Sequence, residues 1–433
     1  MKNLKLIVLL CLVVVMALTA VACGGGAETT STTAETTPVA AVTTAPETTS
    51  AAPVATTTVA ITTEAPETTT VPTQFSSMKI GETSISDYVI VYAKSPYEVY
   101  TKIAQKKQYF PIWDFDHETA NRLSDLIFNV TGVRLDVVQD AKTTQTANEI
   151  LVGETNRNVE GGTNIAQLKS DDFFLNVVGT KLVICGGEFG TTWHAIDYLE
   201  KQFADKLSNK ETTYTFDSNF AYNGNYHLTV VGCIGDSITQ GVGATDQAML
   251  SYPAQLGRIL WKDALVLNFG NSGSTMRSDL GDAYTKRGTY GEAVRAAATV
   301  DIFTIMLGTN DSNRDRDWSA ADTQSYNDSC LAIMKSLKDK NENLKFVLAN
   351  CPAYFDSANF GSKQVRDIQA ALVSIVNEAG YPTTFYDMYT VTKTMKAYFP
   401  DNLHPNDMGH LKMAQAFAEY LQTLVAPTAT GEN

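Results

Sequence analysis

Four short segments of the 433-residue chain carry side chains that could together transfer an acyl group. They are GDSIT at 235–239, NFGNSGST at 268–275, GTND at 308–311 and DNLHPN at 401–406. A serine hydroxyl becomes an effective nucleophile when a neighbouring base removes its proton. Ser237 is the candidate nucleophile, and His404 is the candidate base because imidazole titrates near neutral pH. Asp401, three residues before His404, can orient the imidazole and stabilise its charged form.

Acyl transfer also needs hydrogen-bond donors aimed at the oxyanion of the tetrahedral intermediate. The backbone N–H groups of Ser237 and Gly273 and the side-chain amide of Asn310 are the candidate donors. Glycine at 273 lets the backbone approach a substrate with no Cβ in the way. Asp236 is expected to hold the serine turn through backbone hydrogen bonds rather than to react. The sequence predicts no metal site and no cofactor.

The elements that must position these segments alternate along residues 226–426. Five apolar strand patterns occur there, LTVVGCIG, ALVLNFG, VDIFTIMLG, LKFVLANCP and TTFYDMY, with amphipathic helical patterns between them. This alternation predicts an α/β domain with a parallel sheet between helices, in which ligands bind at the carboxyl ends of the strands. The first three segments each follow a strand, and DNLHPN precedes the last helix. We therefore expect all four segments to share one crevice.

The four segments resemble those of the SGNH (GDSL) hydrolase family over about residues 226–425. The resemblance implies a flavodoxin-like fold, with Ser237 as nucleophile, Gly273 and Asn310 as oxyanion residues, and Asp401 and His404 as acid and base. The chain has no Gly-x-Ser-x-Gly sequence, which argues against the ordinary α/β-hydrolase elbow. The form GDSITQGVGA…SYP is similar to the carbohydrate-esterase branch, which removes acetyl groups from polysaccharides.

Residues 75–225 show an α+β pattern with a hairpin signal at Gly179-Thr180. Three stretches, NEILVGETNR, DDFFLNVVGTKLVICGG and GTTWHAIDYLEKQF, resemble the small N-terminal domain of hexosaminidases and alpha-glucuronidases. The resemblance implies an accessory domain that performs no chemistry. Trp113, Trp193 and Tyr198 could form a sugar platform, but core packing is favoured for them.

The remaining histidines and cysteines do not suggest a second site. His117 and His194 are interpreted as structural or exposed, His227 has no evident role, and His410 is expected to pack inside the last helix. No Cys-x-x-Cys pair is present, which argues against zinc. Cys185 and Cys233 are expected to behave as small buried hydrophobes.

The N-terminus has the features of an export signal. Residues 1–22 combine a basic start with an apolar run, and TAVAC resembles a bacterial lipobox, with Ala20 where leucine is commonest. We therefore expect Cys23 to be lipidated; cleavage elsewhere or an uncleaved membrane anchor are the alternatives. Residues 23–74 are rich in Thr, Ala, Val and Pro and predict a disordered tether with about 40 Å of typical reach. Residues 427–433 are expected to form a disordered tail.

The formal net charge of −14 gives the chain no electrostatic basis for binding nucleic acid. We expect an extracellular serine esterase, lipid-anchored to the outer face of a bacterial membrane, that removes short acyl groups, acetyl first, from polysaccharide or oligosaccharide. Two alternatives stay open at this stage. One is a lipase-like or general acyl esterase, and the other is a carbohydrate-binding surface protein with a vestigial hydrolase site.

Overall fold

The computed structural model of the protein describes residues 73–94, 98–101, 106–109, 114–157, 168–312, 318–356 and 361–425. All of these belong to one compact unit. The predicted signal, Cys23, Trp113, the predicted tail and all but the end of the tether lie outside the described residues. No helix of the described residues is both long enough and apolar enough to cross a membrane.

The part of the unit that precedes residue 226 has an α+β arrangement, as predicted. Its elements are β1 (Ser77–Ile80), β2 (Thr83–Ser84), β3 (Val89–Tyr92), β4 (Glu98–Thr101), β5 (Lys106–Tyr109), α1 (Phe115–Thr131), β6 (Val137–Gln139), β7 (Glu149–Val152), β8 (Asp172–Val178), β9 (Lys181–Gly186), α2 (Phe189–Ser208), β10 (Thr213–Phe216) and β11 (Ala221–Asn225). Short 3-10 turns lie at Ile85–Asp87 and Asp140–Lys142. The main sheet has the order β11-β8-β9-β7-β3-β6, and β9, β7, β3 and β6 run parallel.

Local sequence explains where these elements begin and end. Gly132 follows α1 in the left-handed conformation, with φ of 74°, and its N–H bonds the Phe128 carbonyl. Gly179, with φ of 63°, forms the predicted hairpin between β8 and β9. Apolar residues of α1 and α2 pack on one face of the sheet, among them Leu123 and Leu199.

The second part contains the predicted parallel sheet. Its elements are β12 (Thr229–Gly235), α3 (Ser237–Gln240), α4 (Gln247–Leu250), α5 (Tyr252–Ile259), β13 (Ala264–Gly270), α6 (Gly288–Ala296), β14 (Ile302–Met306), α7 (Thr309–Ser312), α8 (Ala320–Lys338), β15 (Lys345–Ala349), α9 (Gly361–Glu378), β16 (Thr383–Tyr386), α10 (Met388–Thr392) and α11 (Asp407–Gln422). Short 3-10 turns lie at Tyr284–Lys286 and Lys396–Tyr398. The strand order β13-β12-β14-β15-β16 is that of flavodoxin-like folds, which confirms the predicted fold class.

The alternation along β12 places two cores on opposite faces of this sheet. Val230 and Ile234 pack in a core with residues of α6, α8 and α9. Val231 and Cys233 point the other way and pack with residues of α5 and α11. Burial on both faces explains why β12 reads as a continuous apolar run. Cys185, Cys233, Cys330 and Cys351 are buried and lie outside any disulfide.

The two parts of the unit meet at the amino ends of β12 and β13. Trp261, shortly before β13, stacks on Phe115 of α1 with ring centroids 4.7 Å apart. It also meets Trp193 of α2 edge-on, with centroids 5.4 Å apart. Ser237 follows the carboxyl end of β12, so this junction and the four predicted site segments lie at opposite edges of the sheet.

The aromatic residues considered as a sugar platform are engaged in packing. Besides its contact with Trp261, the ring of Trp193 carries the Lys262 ammonium 3.8 Å from its centroid. Tyr198 stacks on Tyr222 with ring centroids 3.6 Å apart. These contacts are packing contacts, the role that the sequence favours for both residues.

Two histidines connect the parts across the junction. His194 stacks on Tyr226, with centroids 3.4 Å apart, and donates from Nε2 to the Lys262 carbonyl at 2.9 Å. Its Nδ1 bonds Asp197, and Asp263 lies 3.7 Å from Nε2. Burial opposes the charged imidazole, but the hydrogen bonds and charges of these carboxylates raise the pKa of His194 overall.

His227, for which the sequence indicates no role, makes a similar connection. Its Nδ1 lies 2.9 Å from Asp171 of the first part, and its Nε2 lies 3.2 Å from Asp301 of the second. Burial again opposes the charge, and the two carboxylates raise the pKa of His227. Protonation of both histidines therefore favours the folded junction.

We expect the stability contributed by His194 to depend on pH in a defined direction. Because its pKa is raised on folding, the contribution is complete below the unfolded value of about 6.5 and is lost as pH rises through the folded pKa. His194→Gln should therefore lower the free energy of unfolding by on the order of 1–2 kcal/mol at low pH and by less at high pH. Urea unfolding between mildly acidic and alkaline pH measures this, with His117→Gln, at an exposed histidine of α1, as the matched control. A loss that is independent of pH would contradict the expectation.

Candidate active site

Ser237 lies at the point where β12 turns into α3. Gly235 ends the strand where a Cβ would come within 1.9 Å of Thr239 Oγ1, so only glycine fits this turn. The Asp236 carboxylate caps α3 by accepting the Ile238 N–H at 3.0 Å. Asp236 therefore holds the turn through the backbone, as the sequence predicts, and Ser237 lies at the carboxyl edge of the sheet with 5% of its surface exposed.

The structure brings three of the predicted site residues into one chain of hydrogen bonds. Ser237 Oγ lies 2.9 Å from His404 Nε2, although 167 residues separate the two in sequence. His404 Nδ1 lies 2.6 Å from Asp401 Oδ2. Asp401 Oδ1 also accepts the backbone N–H groups of His404, at 2.6 Å, and Leu403, at 2.9 Å. The Asp401 carboxylate thus fixes the imidazole with Nε2 facing the serine hydroxyl.

The loop that carries Asp401 and His404 is held by the backbone conformation of Asn402 and by hydrogen bonds to neighbouring segments. Asn402 adopts the left-handed conformation, with φ of 69°, which asparagine tolerates better than most residues. Its carbonyl accepts the Phe355 N–H at 2.9 Å, and its side chain is bonded by Lys396. The left-handed turn at Asn402 brings the carboxylate of Asp401 next to His404.

The turn after α3 is tied directly to this loop. At Gly243, with φ of 96°, a Cβ would lie 2.3 Å from the Pro405 carbonyl oxygen and 3.1 Å from His404 Cβ. Thr245 donates from its backbone N–H, at 2.7 Å, and from its hydroxyl, at 2.8 Å, to the carboxylate of Asp407. These contacts fix the separation between the serine turn and the histidine loop.

His410 is buried in α11 and supports the same contact. Its Nδ1 accepts the Tyr252 N–H at 3.2 Å, and its Nε2 donates to the Val242 carbonyl at 3.3 Å. Burial lowers the pKa of His410 to about 4, so the ring stays neutral and keeps this donor and acceptor pattern at physiological pH. The sequence predicts a packing role, and the structure adds hydrogen bonds to two neighbouring segments.

The two remaining predicted residues, Gly273 and Asn310, meet at the loop that follows β13. Gly273 follows β13 in the left-handed conformation, with φ of 75°. Asn310, in α7 after β14, donates from its side-chain amide to the Ser274 carbonyl at 2.9 Å. An amide group carries two N–H bonds, so Asn310 retains a second donor next to the Gly273 loop.

The acidic residues of the site have different pKa values because they differ in burial and in hydrogen bonding. Burial raises the pKa of Asp236 to about 6, against the opposing effects of the Ile238 N–H, the Thr309 hydroxyl and His404. Partial burial acts in the same direction on Asp401, but hydrogen bonds from His404 and Leu403 lower its pKa below the usual range. Asp401 is therefore ionised at neutral pH.

Asp311 is a positioning residue that the sequence reasoning missed. It is fully buried, and its carboxylate accepts the N–H groups of Met276, at 2.8 Å, and Arg277, at 3.1 Å. Burial raises its pKa to about 6. Asp311 thus anchors the loop that carries Gly273. Asp311 is the last residue of the GTND segment, which the sequence analysis selected. Its role could not be predicted, because its partners are backbone atoms more than thirty residues earlier in the chain.

Arg287 also lies beside this loop without having been predicted. Its Nη2 is 3.9 Å from the position that a Cβ on Gly273 would take. Within the described residues, its buried Nε has no hydrogen-bond partner. A guanidinium at this position adds positive charge next to the predicted oxyanion site.

In the described part of the chain, no three His, Cys, Asp or Glu side chains are arranged to hold a metal ion.

Comparison with known proteins places this site in a family. Residues 233–412 match the GDSL-like Lipase/Acylhydrolase family. This match confirms the predicted SGNH (GDSL) resemblance for this part of the chain. The resemblance of residues 75–225 to the accessory domains of hexosaminidases and alpha-glucuronidases stays a prediction.

The chain is also similar to individual carbohydrate esterases. An acetylxylan esterase of Xylanibacter ruminicola is 28% identical over 206 residues, which is 43% of this chain and 42% of that protein. The chain thus spans less than half the length of this relative. Among solved structures, the carbohydrate acetylesterase Est24 of Sinorhizobium meliloti is 15% identical, with a TM-score of 0.35, over 45% of this chain and 99% of that one. A family 3 carbohydrate esterase of Clostridium thermocellum is 18% identical, with a TM-score of 0.35, over 46% of this chain and 98% of that one.

We expect Asp311→Asn to impair the Gly273 loop more than the fold. Asparagine offers one acceptor oxygen, so one of the two loop N–H groups would face an amide donor and lose its bond. If the loop carries an oxyanion donor, kcat for an aryl acetate should fall by up to about 10²–10³-fold while KM changes little. Steady-state kinetics with thermal unfolding measure both effects, and Asp339→Asn at an exposed site serves as control. Unchanged kcat in a folded variant would show that the Asp311 bonds do not position the loop.

Proposed function

We propose that the protein is a serine esterase that removes short acyl groups, acetyl first, from carbohydrate through an acyl-enzyme intermediate. The observation that carries this proposal is the hydrogen-bond chain from Ser237 through His404 to Asp401. A nucleophile, a base within 2.9 Å and a carboxylate that orients the base are the parts that acyl transfer requires.

The proposed reaction proceeds in two displacements. Ser237 Oγ attacks the acyl carbon while its proton passes to His404 Nε2, and Asp401 stabilises the imidazolium. The oxyanion that forms is stabilised by the backbone N–H groups of Ser237 and Gly273 and by the Asn310 amide. The imidazolium then returns the proton to the sugar oxygen as the C–O bond breaks, which leaves Ser237 acylated. A water molecule, deprotonated by His404, attacks the acyl-enzyme and releases the carboxylic acid and the free serine.

The substrate class is supported by the similarity to an acetylxylan esterase and by the charge of the chain. A net charge of −14 disfavours polyanionic substrates. A neutral acetylated glycan meets no such repulsion. Arg287 beside Gly273 could pair with a single carboxylate substituent, so a glucuronate-bearing acetylated xylan belongs in any substrate panel.

We expect Ser237→Ala to abolish hydrolysis of a small aryl acetate, because the variant has no nucleophile. The loss in kcat should be about 10⁴-fold or more, with the melting temperature almost unchanged. Ser272→Ala provides the matched control, since Ser272 is an exposed serine on the neighbouring loop. Full activity in a folded Ser237→Ala variant would rule out the mechanism.

The same pair of proteins tests the substrate class. Acetate release from a panel of acetylated polysaccharides, compared between wild type and Ser237→Ala, identifies the glycan. A rate that rises with acyl chain length on synthetic esters would favour the lipase-like alternative. Binding to insoluble glycans without turnover would favour the vestigial-site alternative.

We also propose that the esterase is held at the outer face of a bacterial membrane by lipid on Cys23. The lipobox-like TAVAC sequence supports this, and the following low-complexity stretch would act as the tether. A single acyl chain binds membranes weakly, so stable anchoring requires more than one chain. In a bacterial host, Cys23→Ser should abolish incorporation of labelled palmitate and move the protein from the membrane fraction, whereas Cys11→Ser should change neither. Retention of label in Cys23→Ser would refute the anchor.

A further inference from the structure

The first part of the unit contains a cavity at the carboxyl edge of its parallel strands. Its volume is about 300 Å³, which is at the lower end of the range for small-molecule sites. Its walls come from segments that follow β3, β7 and β9, including Lys94, Glu154 and Glu188. Parallel sheets bind ligands at this edge, so the cavity lies where the architecture favours a site.

A buried carboxylate forms part of the cavity wall. Asp116, the second residue of α1, is 3% exposed and lines the cavity. Among the described residues, its Oδ1 has no hydrogen-bond partner. Gly153 makes room for this carboxylate, because a Cβ at Gly153 would lie 2.4 Å from Asp116 Oδ2. Burying a carboxylate without a partner is costly, and an arrangement built around such a group points to a ligand that completes it.

The surroundings of Asp116 favour a positively charged partner. Burial first, and then the charges of Asp114, Asp140 and Glu154, hold the pKa of Asp116 well above its usual range. These charges come from the residue before α1, from the turn after β6 and from the loop after β7, and they disfavour the ionised form of Asp116. Lys94 is the one cationic residue among the described residues that line this cavity, and it is exposed at the rim. Negative charge in excess attracts a cation more strongly than it attracts a neutral hydroxyl group.

We propose that this cavity binds a small ligand through a primary ammonium group, with Asp116 as its counter-ion. An ammonium group donates three hydrogen bonds and carries one positive charge, which satisfies the unpartnered oxygen and offsets the surrounding carboxylates. Amino sugars and simple aliphatic amines both carry this group and fit the volume. The site lies in the first part of the unit and uses none of the residues of the candidate active site, so it is independent of the proposed esterase function.

The test is calorimetric titration of the full chain with glucosamine and with cadaverine. The neutral comparison ligands are glucose and N-acetylglucosamine, and calcium chloride tests for a metal. We expect glucosamine, cadaverine or both to bind with dissociation constants near about 1 mM or below, and whichever binds identifies the source of the ammonium group. Neutral sugars that bind as tightly, a preference for calcium, or no binding by either amine would overturn the proposal.

Asp116→Asn is the decisive variant because it removes the charge and keeps the shape. Affinity for the amine should fall at least about 10-fold, while aryl acetate hydrolysis stays at the wild-type rate. Unchanged amine affinity in Asp116→Asn would overturn the proposal.

Two further variants keep the result interpretable. Asp125→Asn makes the same chemical change at an exposed position of α1 and should leave amine binding unchanged. Glu154→Gln removes a charge at the exposed rim, where the fold cannot depend on it, and should weaken binding about 2–5-fold. If Asp116→Asn fails to fold, wild-type affinity in Glu154→Gln overturns the proposal instead.

Discussion

The short bond between Ser237 Oγ and His404 Nε2 is the constraint on which the rest of the hydrolase domain depends. A hydrogen bond of 2.9 Å between residues 167 positions apart survives only if both backbones are fixed to within a fraction of an ångström. β12 fixes the serine by burying both of its faces, and α11 fixes the loop that precedes it. The space between them is set by Gly243, where any side chain would push the two segments apart.

Two buried acidic residues hold the turns of the site in place, although neither takes part in the proposed reaction. Asp236 and Asp311 each lie at the end of a central strand; Asp236 accepts one backbone N–H group, and Asp311 accepts two. Burial makes their ionised forms costly, which is seen in pKa values raised to about 6. The hydrogen bonds offset part of that cost and give the turns a fixed geometry. Asp401 differs because it is about half exposed and its pKa is lowered, as suits a carboxylate that must stay charged next to a protonated imidazole.

The first part of the unit also has a buried carboxylate at the end of a parallel sheet. Its parallel strands also end at a cavity, and a buried carboxylate, Asp116, lies at that edge. There the carboxylate has an oxygen without a partner, whereas Asp311 has backbone donors for both oxygens. The histidine-containing junction joins this part to the amino edge of the hydrolase sheet. A ligand in the cavity beside Asp116 and a substrate at Ser237 would therefore occupy separate places on one compact unit.

The sequence by itself determined the strand and helix alternation, the parallel sheet and the candidate residues of the reaction. This was possible because buried parallel strands are continuous apolar runs and because the side chains of acyl transfer follow them in recognisable segments. The amino acids at 237, 273, 310, 401 and 404 could be selected from residue chemistry and family resemblance without any distances. The sequence could not determine the roles of Asp311, Arg287 and Asp116, since each depends on atoms contributed by distant segments.

Only the tertiary structure decided which acids have partners and which do not. Asp311 and Asp116 look alike in sequence, as acidic residues beside apolar ones. Their difference lies in whether neighbouring backbone N–H groups point at the carboxylate, and that depends on packing between elements far apart in the chain. For the same reason His227 has no role in the sequence but joins Asp171 to Asp301 in the structure. Local patterns encode burial and turns, whereas hydrogen-bond satisfaction is a property of the assembled fold.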